Sequence, residues 1–563
     1  MNNQKPNFNE EKKRLSELLS QNRLVEASTL CSELLNLQQQ DVDLRIMQGY
    51  IHIQLGQVEA ARKHLNQANS QQDYNPAVYY YLGLLDEREG NLSAAADNYC
   101  KSIELFPDDP AGRAFQQLSS LAERQGKLDE MNCYRGYCLS ARNKLDEAMP
   151  YFQKALDINP QYAEAYIGIG NNLKRHKRFR DAIAAFKKAI TCDPSSLKAH
   201  RELGVALAGD KKYESAIQCF DHALSMAPND AESHYWRGIA LLMIGKLAEG
   251  WDEYEWRLRW NRIAILMGSR RDFKLPMWQE EKIADKTILV YGEQGVGDEI
   301  MFASCYKDIS SIAGSLVIEC DNRLSPLMRR SFPEATVVGR FINGDTDWLT
   351  RLPPVDYCVS SGSLPRIFRR TVEDFPCRSC YLMPDADRVQ RWRERYEILG
   401  PGMAVGISWA GGKTSKEKHD RSIELDQWAK IFAVPKVHFI NLQYGDHADD
   451  LARIEKSFGV VIHDWQDSNP LADLDDFAAK IAALDLVISI DNSTVHVAGG
   501  LGKQTWCLLS YTPEWRWMQD RHDSLWYPTM ELFRQQKRGS WKDVFDRVAF
   551  QLRGSVEEFQ INR

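Results

Sequence analysis

Small residues return every 34 positions through the first 250 residues of this chain, at Ala27, Ala61 and Ala95, then at Ala148, Ala182, Ala216 and Gly250. Glycines hold the same phase at Gly49 and Gly83, then at Gly136, Gly170, Gly204 and Gly238. Four residues after each small residue stands a larger one: Cys31, Leu65, Tyr99, Phe152, Phe186, Phe220 and Tyr254. Prolines close four of the units, at Pro107, Pro160, Pro194 and Pro228. A fixed period of this length is the mark of one supersecondary unit stacked on its copies, so this half cannot be organised around a single central core.

The spacing is the tetratricopeptide (TPR) pattern, which implies a helix–turn–helix per period. Small residues are expected where the paired helices touch backbone to backbone, and the aromatic is expected to fill the gap toward the next repeat. Proline stops the second helix. The step from Ala95 to Ala148 is 53, or 34 plus 19. Gly112–Lys144 is therefore expected to hold an odd number of helices, either as a kink between sub-arrays of three and four repeats or as a repeat with a deletion. Helix A would line a concave face with Ile46, Tyr50, Tyr80, Leu84, Tyr137, Ile167 and Val205, or bury some of these in the core. That mixed apolar and aromatic lining suits an apolar or helical protein segment better than an extended backbone held by amides.

The periodicity changes after the Trp251–Trp260 stretch. A basic linker over 261–277 precedes short apolar runs that alternate with helical segments. The runs 287–291, 315–319, 335–338 and 355–359 read as buried parallel strands. A second set follows Pro401, at 404–409, 436–442, 460–463, 486–490 and 505–509. The fold class read here is an α-solenoid of TPR repeats over 1–260, followed by two doubly wound α/β lobes over 278–400 and 401–538. A last helix within 539–563, beginning near Ser540, is expected to pack back across the first lobe.

Ligands of such lobes bind beyond the carboxyl ends of the strands. Four loops qualify. After the first strand comes Gly292-Glu293-Gln294-Gly295-Val296-Gly297-Asp298, where Gly295 and Gly297 allow the backbone close to a ligand and Asp298 opens a helix, as an N-cap or as a reactive carboxylate. It is neither a dinucleotide fingerprint nor a Walker loop. Asp491-Asn492-Ser493-Thr494-Val495-His496 follows LVISI and delivers polar residues to a helix N-terminus, which is a phosphate site or a plain capping turn. Trp409–Lys413, with Lys416, Lys418 and Arg421, offers cations for a diphosphate or a solvated lysine-rich loop. Tyr511–Trp517 with Trp526 and Tyr527 offers aromatics and Arg516 to stack on a sugar or base, or to pack the lobes together.

Over roughly Trp278–Leu552 these elements resemble the GT-B glycosyltransferases, in particular the heptosyltransferase-like family, through ILVYGEQGVGD and the Asp491–His496 element. The resemblance implies a double Rossmann-like GT-B module in which Asp298 is the general base. It also implies that Asp491, Asn492, Ser493, Thr494 and His496 hold the donor phosphates, with Gly295 and Gly297 beside them and Lys413 and Arg421 as basic contacts. Ser493 stands where that family has glycine, so the donor sugar is not implied. The layout is similar to that of TPR protein O-glycosyltransferases that modify flagellin with nonulosonic acids. Such a protein would invert the sugar as it passes from a nucleotide donor to a protein hydroxyl, with no cofactor beyond the donor and with the TPR groove recruiting the acceptor, a flagellin in that group. The alternatives are a glycolipid or lipopolysaccharide glycosyltransferase, a nucleotide-sugar epimerase or hydrolase, and a TPR scaffold with an inactive GT-B-like domain.

Composition closes off other classes. The 71 basic and 78 acidic residues of 563 leave a net charge of −7, too balanced for a chain-wide nucleic-acid surface. No apolar run reaches the ~18 residues of a membrane span, and the start shows no secretory h-region. The twelve cysteines are scattered, so reduced thiols in a cytoplasmic protein are expected. Cys377 and Cys380 form one CxxC without the second pair that zinc would need, and no metal site is expected. Asp345-Thr346-Asp347 reads as a turn rather than a metal-binding DxD.

Overall fold

The computed structural model describes residues 8–561 except 73–74, 106–111, 269–270, 272, 341–346, 412–421, 466 and 470–471. It divides into two compact units: Met1–Gly209 with Ser225–Ala227, and Asp210–Leu224 with Pro228–Arg563.

The first unit is a run of antiparallel helices of 12–14 residues, from Phe8–Ser20 to Leu197–Gly209. Ala27, Ala61, Ala95, Ala148 and Ala182 are all fully buried. Gly49, Gly83, Gly136 and Gly170 meet side chains, whereas Gly238 meets backbone at Tyr254 N. A Cβ on Gly83 would come within 2.7 Å of the Tyr99 ring, and on Gly136 within 2.7 Å of Phe152. The larger residue of the second helix thus fills the notch that glycine leaves in its own repeat. Phe152 also reaches Gly168 of the next repeat.

Gly112–Lys144 holds two helices, Arg113–Arg124 and Leu128–Ala141, not an odd number. The additional 19 residues are one helix and its turn, Arg113–Arg124, which packs between Leu92–Leu105 and Leu128–Ala141. Of the expected groove residues, Ile46 and Ile167 are core, whereas Tyr50, Tyr80, Leu84, Tyr137 and Val205 are partly exposed.

The second unit begins with the last helices of the repeat pattern, Tyr213–Met226, Ala231–Met243 and Leu247–Tyr254, and continues into two parallel sheets. β1 (Thr287–Tyr291), β2 (Ser315–Cys320), β3 (Thr336–Gly339) and β4 (Tyr357–Ser360) pair in the order β3-β2-β1-β4. β5 (Met403–Ser408), β6 (Val437–Asn441), β7 (Ile462–His463), β8 (Leu486–Ile490), β9 (Thr505–Leu509) and β10 (Met530–Arg534) pair in the order β10-β9-β8-β5-β6-β7. All pairs are parallel. β5, β8 and β9 are buried at every residue, as expected of strands covered on both faces.

β10 is not among the expected strands, because the partly exposed Glu531 and Arg534 interrupt MELFR at the sheet edge. The 261–277 stretch holds a helix, Asn261–Leu266, and contributes Phe273 and Leu275 to the core of the first sheet. The last helix is Lys542–Ile561, and it covers the second sheet rather than the first. Val544, Phe545, Val548 and Leu552 enter a core with Trp428, Phe432 and Trp506.

Candidate active site

Each sheet has one place where the chain reverses its direction of travel across the strands. In the first, β1 lies between β2 and β4; in the second, β5 and β8 lie side by side between β6 and β9. Crevices open at the carboxyl ends of strands at such points. Asp298 follows β1, Gly411 follows β5, and the 491–496 turn follows β8, so three of the four loops converge there by topology.

Asp298 is the third residue of the helix Val296–Ala303. Its Oδ2 accepts from Gly295 N at 3.2 Å, so the side chain does serve the helix start. Its Oδ1 lies 2.8 Å from Arg516 Nη1, an ion pair by distance that is not aligned as a hydrogen bond. One carboxylate therefore does two jobs, and neither uses its full accepting capacity. Gly295 is extended, at φ −113 and ψ 171, a conformation open to any residue. Gly297 is different: a Cβ there would come within 2.7 Å of His496 Cδ2. This glycine lets the helix Val296–Ala303 lie against the helix Ser493–Gly500 across the two lobes.

Asn492 caps that second helix, its Oδ1 accepting from Thr494 N at 3.0 Å. Its Nδ2 donates to Ser408 Oγ at 2.8 Å and to Ala410 O at 3.2 Å, tying the end of β5 to the end of β8. The amide is thus committed within the protein, and it shapes the turn rather than reaching outward. Thr494 is fully buried and its Oγ1 has no hydrogen-bond partner. Ser493 is partly exposed, and Asp491 is buried. An unmatched hydroxyl in the first turn of a helix suits an anion at that end of the helix dipole. His496 Nδ1 lies 2.8 Å from the Tyr527 hydroxyl, and its Nε2 faces Arg516 Nη1 at 3.4 Å. A nitrogen facing a guanidinium is the acceptor, so the proton sits on Nδ1 and His496 donates to Tyr527.

Lys413 and Arg421, with Lys416, Lys418, Asp345 and Thr346, lie outside the described residues. The described ends of the basic loop are joined by Gly411 N donating to Ser422 Oγ at 3.3 Å, and a Cβ on Gly411 would lie 3.3 Å from that of Asn492.

Buried charge holds the β1 loop in place. Glu293 and Arg257 are both fully buried, with Arg257 Nε and Nη2 donating to Glu293 Oε1 at 3.0 and 2.7 Å. Ser360 and Ser363 hydroxyls accept from the same guanidinium at 3.2 and 3.0 Å. Behind Asp298, Glu299 Oε2 accepts from Asp321 N at 2.7 Å, and Oε1 is paired with Arg340. Burial pushes the Glu299 carboxyl up to about 7, although Arg340 and the Asp321 N–H pull it down.

The fourth loop packs the lobes. Trp515, Trp517, Trp526 and Tyr527 are all buried, and Trp515 meets Trp251 edge-on at 5.2 Å. They offer no open stacking platform. Arg516 is the charged residue that this loop conceals: buried, paired to Asp298 and Glu514, and with its Nε unpartnered. Burial disfavours its charge, while Asp298 and Asp491 outweigh that and hold its pKa above the usual arginine value. A single arginine 218 positions from Asp298 gives no sequence signal of their meeting.

Tetratricopeptide repeat models match residues 46–110 and 167–231, 132–162, and 219–251, so the chain carries TPR repeats. Among curated proteins, Protein FlbA of Caulobacter vibrioides is 33% identical over 325 residues, 56% of this chain and 53% of FlbA. Protein O-mannosyl-transferase TMTC1 of Homo sapiens is 25% identical over 148 residues, 26% of this chain and 15% of TMTC1. The chain thus covers about half of the first relative and a small part of the second. Among solved structures, YrrB, a TPR protein with an unusual peptide-binding site, is 19% identical over 36% of this chain and 95% of its own, at a TM-score of 0.18. A tetratricopeptide repeat protein from Parabacteroides merdae is 16% identical over 42% and 98%, at a TM-score of 0.23. The repeat assignment rests on the TPR models and the helix pairs. Beside the repeats stand two parallel α/β sheets, and among the described residues no helix is long and apolar enough to cross a membrane.

Proposed function

We propose that the second unit is a GT-B-type glycosyltransferase that moves a sugar, with inversion, from a nucleotide-activated donor to a protein hydroxyl, and that the repeats recruit the acceptor. One observation carries the reading. A carboxylate following β1 is paired with Arg516, which also meets His496 of the helix following β8, and in the first turn of that helix a buried hydroxyl lacks a partner. A relative named for protein O-mannosyl transfer supports the reaction class. A flagellin acceptor is proposed from the shared layout alone.

In this reading the donor phosphate sits at the first turn of Ser493–Gly500 and takes the Thr494 hydroxyl as a donor. Helix dipole and N–H groups stabilise the charge that leaves with it. Asp491, an acceptor only, suits donor hydroxyls better than phosphate. Arg516 exchanges Asp298 for the phosphate. Asp298 then takes the proton of the acceptor hydroxyl as its oxygen bonds to the sugar carbon and the carbon–phosphate-oxygen bond breaks, its electron pair leaving with the nucleotide. Lys413 and Arg421 add cations in the same proposal, with no metal required. The test is a thermal-shift screen of nucleotide sugars against the full chain, followed by transfer assays on Asp298→Asn. A shift with one nucleotide class and none with the sugar alone is expected; the absence of any nucleotide effect overturns the reading.

A further inference from the structure

The helix Ser493–Gly500 ends on two adjacent glycines, Gly499 and Gly500. Glycine in a helix costs stability relative to alanine. This pair makes room for the side chains of Tyr527, Leu382 and Tyr381. A Cβ on Gly499 would come within 2.4 Å of the Tyr527 ring, and one on Gly500 would lie 2.7 Å from Leu382 and 3.4 Å from Tyr381. Tyr381 N and Leu382 N both donate to Gly500 O at 3.0 Å, which fastens their segment to the end of the helix.

The two phenols stand behind His496 in a line that has one direction. Tyr381 Oη donates to Ile300 O at 2.8 Å. A carbonyl only accepts, so the single phenol proton of Tyr381 lies there. Toward Tyr527, Tyr381 can then only accept, and the Tyr527 hydroxyl that bonds to it is the donor. Tyr527 is left with an oxygen lone pair for His496 Nδ1, 2.8 Å away. Burial raises both phenols above the usual tyrosine value, so the line stays protonated at neutral pH. The imidazole is thus set from two sides. The tyrosines require a proton on Nδ1, and Arg516 Nη1, 3.4 Å from Nε2, requires a lone pair there.

We infer that Tyr527 and Tyr381 are positioning residues that hold His496 as the Nδ1–H tautomer, and that His496 is the acceptor that orients Arg516 beside Asp298 rather than a phosphate ligand. An imidazole whose Nε2 carries a lone pair has no proton to offer a phosphate oxygen on that side. Arg516 Nη1 lies between two acceptors, Asp298 Oδ1 at 2.8 Å and His496 Nε2, while Nη2 is paired with Glu514. The neutral acceptor keeps the guanidinium in place when its carboxylate partner changes. That consequence rests on the proposed glycosyl transfer, whereas the tautomer does not. The line also joins the lobes. Ile300 belongs to the helix Val296–Ala303 and His496 to Ser493–Gly500, so hydrogen bonds as well as the close contact at Gly297 set the spacing of the two helices.

The test labels the histidine rings of the full-length chain with 15N and reads both ring nitrogens of His496 by long-range 1H–15N correlation, with His496→Gln assigning the signals. It needs no sugar donor or acceptor, so failure of the glycosyl-transfer reading leaves its outcome unchanged. At neutral pH the wild type should show a protonated Nδ1 and an unprotonated Nε2. Tyr527→Phe, which keeps the ring beside Gly499, should shift the tautomer ratio about tenfold toward Nε2–H, the loss of one hydrogen bond. Tyr381→Phe should shift it the same way by less, and carries the test if Tyr527→Phe fails to fold. Arg516→Met should move the Nε2 resonance toward that of an unbonded imidazole nitrogen and leave Nδ1 protonated. Inorganic phosphate, added at constant ionic strength, should leave Nε2 unprotonated. An Nε2–H or imidazolium form in the wild type, an unchanged ratio in both tyrosine variants, an unmoved Nε2 resonance in Arg516→Met, or a proton on Nε2 with phosphate overturns the inference.

Discussion

The two units of this chain bury different things. The repeats bury alanines and one larger side chain per helix pair, a ring from Tyr99 onward, so their geometry is set by contacts between neighbours in sequence. Most of their ion pairs sit at the surface, as Lys144 with Glu147 does at 3.0 Å. The α/β unit also has apolar strands, but its loops are fixed by buried and partly buried ionisable pairs: Arg257 with Glu293, Glu299 with Arg340, Asp298 with Arg516. An array specifies itself through steric fit repeated at each step. A crevice built from separate strand ends has no repeated step, and directional polar contacts define it instead.

The largest expected effect separates chemistry from folding. Asp298→Asn should lower transfer about 10²–10⁴-fold, with circular dichroism and the melting profile retained; transfer near the wild-type rate, followed by intact mass of the acceptor, would remove the carboxylate from the reaction. Next comes the cost of a stranded ion. Arg257→Met leaves Glu293 buried without its partner and should cost about 3–5 kcal/mol in urea unfolding of the second unit. Phe186→Ala should cost a similar ~3–5 kcal/mol in the array, by opening a cavity beside Gly170. The two differ in rescue: Arg257→Met/Glu293→Leu should recover much of its loss, while Phe186→Ala has no polar counterpart to remove. Failure of the double variant to recover would break the contrast.

A smaller effect concerns pH. Glu299 keeps its proton in the folded protein up to about 7 because burial disfavours its charge. A raised carboxyl pKa gives stability that is present below the unfolded value and is lost as pH rises toward 7. Wild type should therefore lose stability relative to Glu299→Gln between about pH 4.5 and 7; parallel curves would show that Arg340 compensates fully. Smallest of all, Lys144→Ala should leave the melting midpoint unchanged, since exposed pairs contribute little.

The array was legible because a period is redundant: seven copies of a small residue report one geometry. Buried strands such as β1 and β8 were legible as apolar runs between turn residues. β10 was not, since its Glu531 and Arg534 break the run. In the crevice, Asp298 and the 491–496 turn stand in local strand–turn–helix contexts that the sequence displays. Arg257, Glu293 and Arg516 do not. Each finds its partner across tens to hundreds of residues, and a lone charge has no pattern that points to its mate. Asn492 shows a subtler limit: its position marks the turn, but the structure commits its amide to β5.

Gly297 presents only hydrogen to the edge of the His496 imidazole. The seam therefore has no slack for even a methyl group. Any side chain there would act as a wedge and would alter the spacing between Asp298 and the 491–496 turn at once. The close approach of these two helices therefore depends on glycine at this one position.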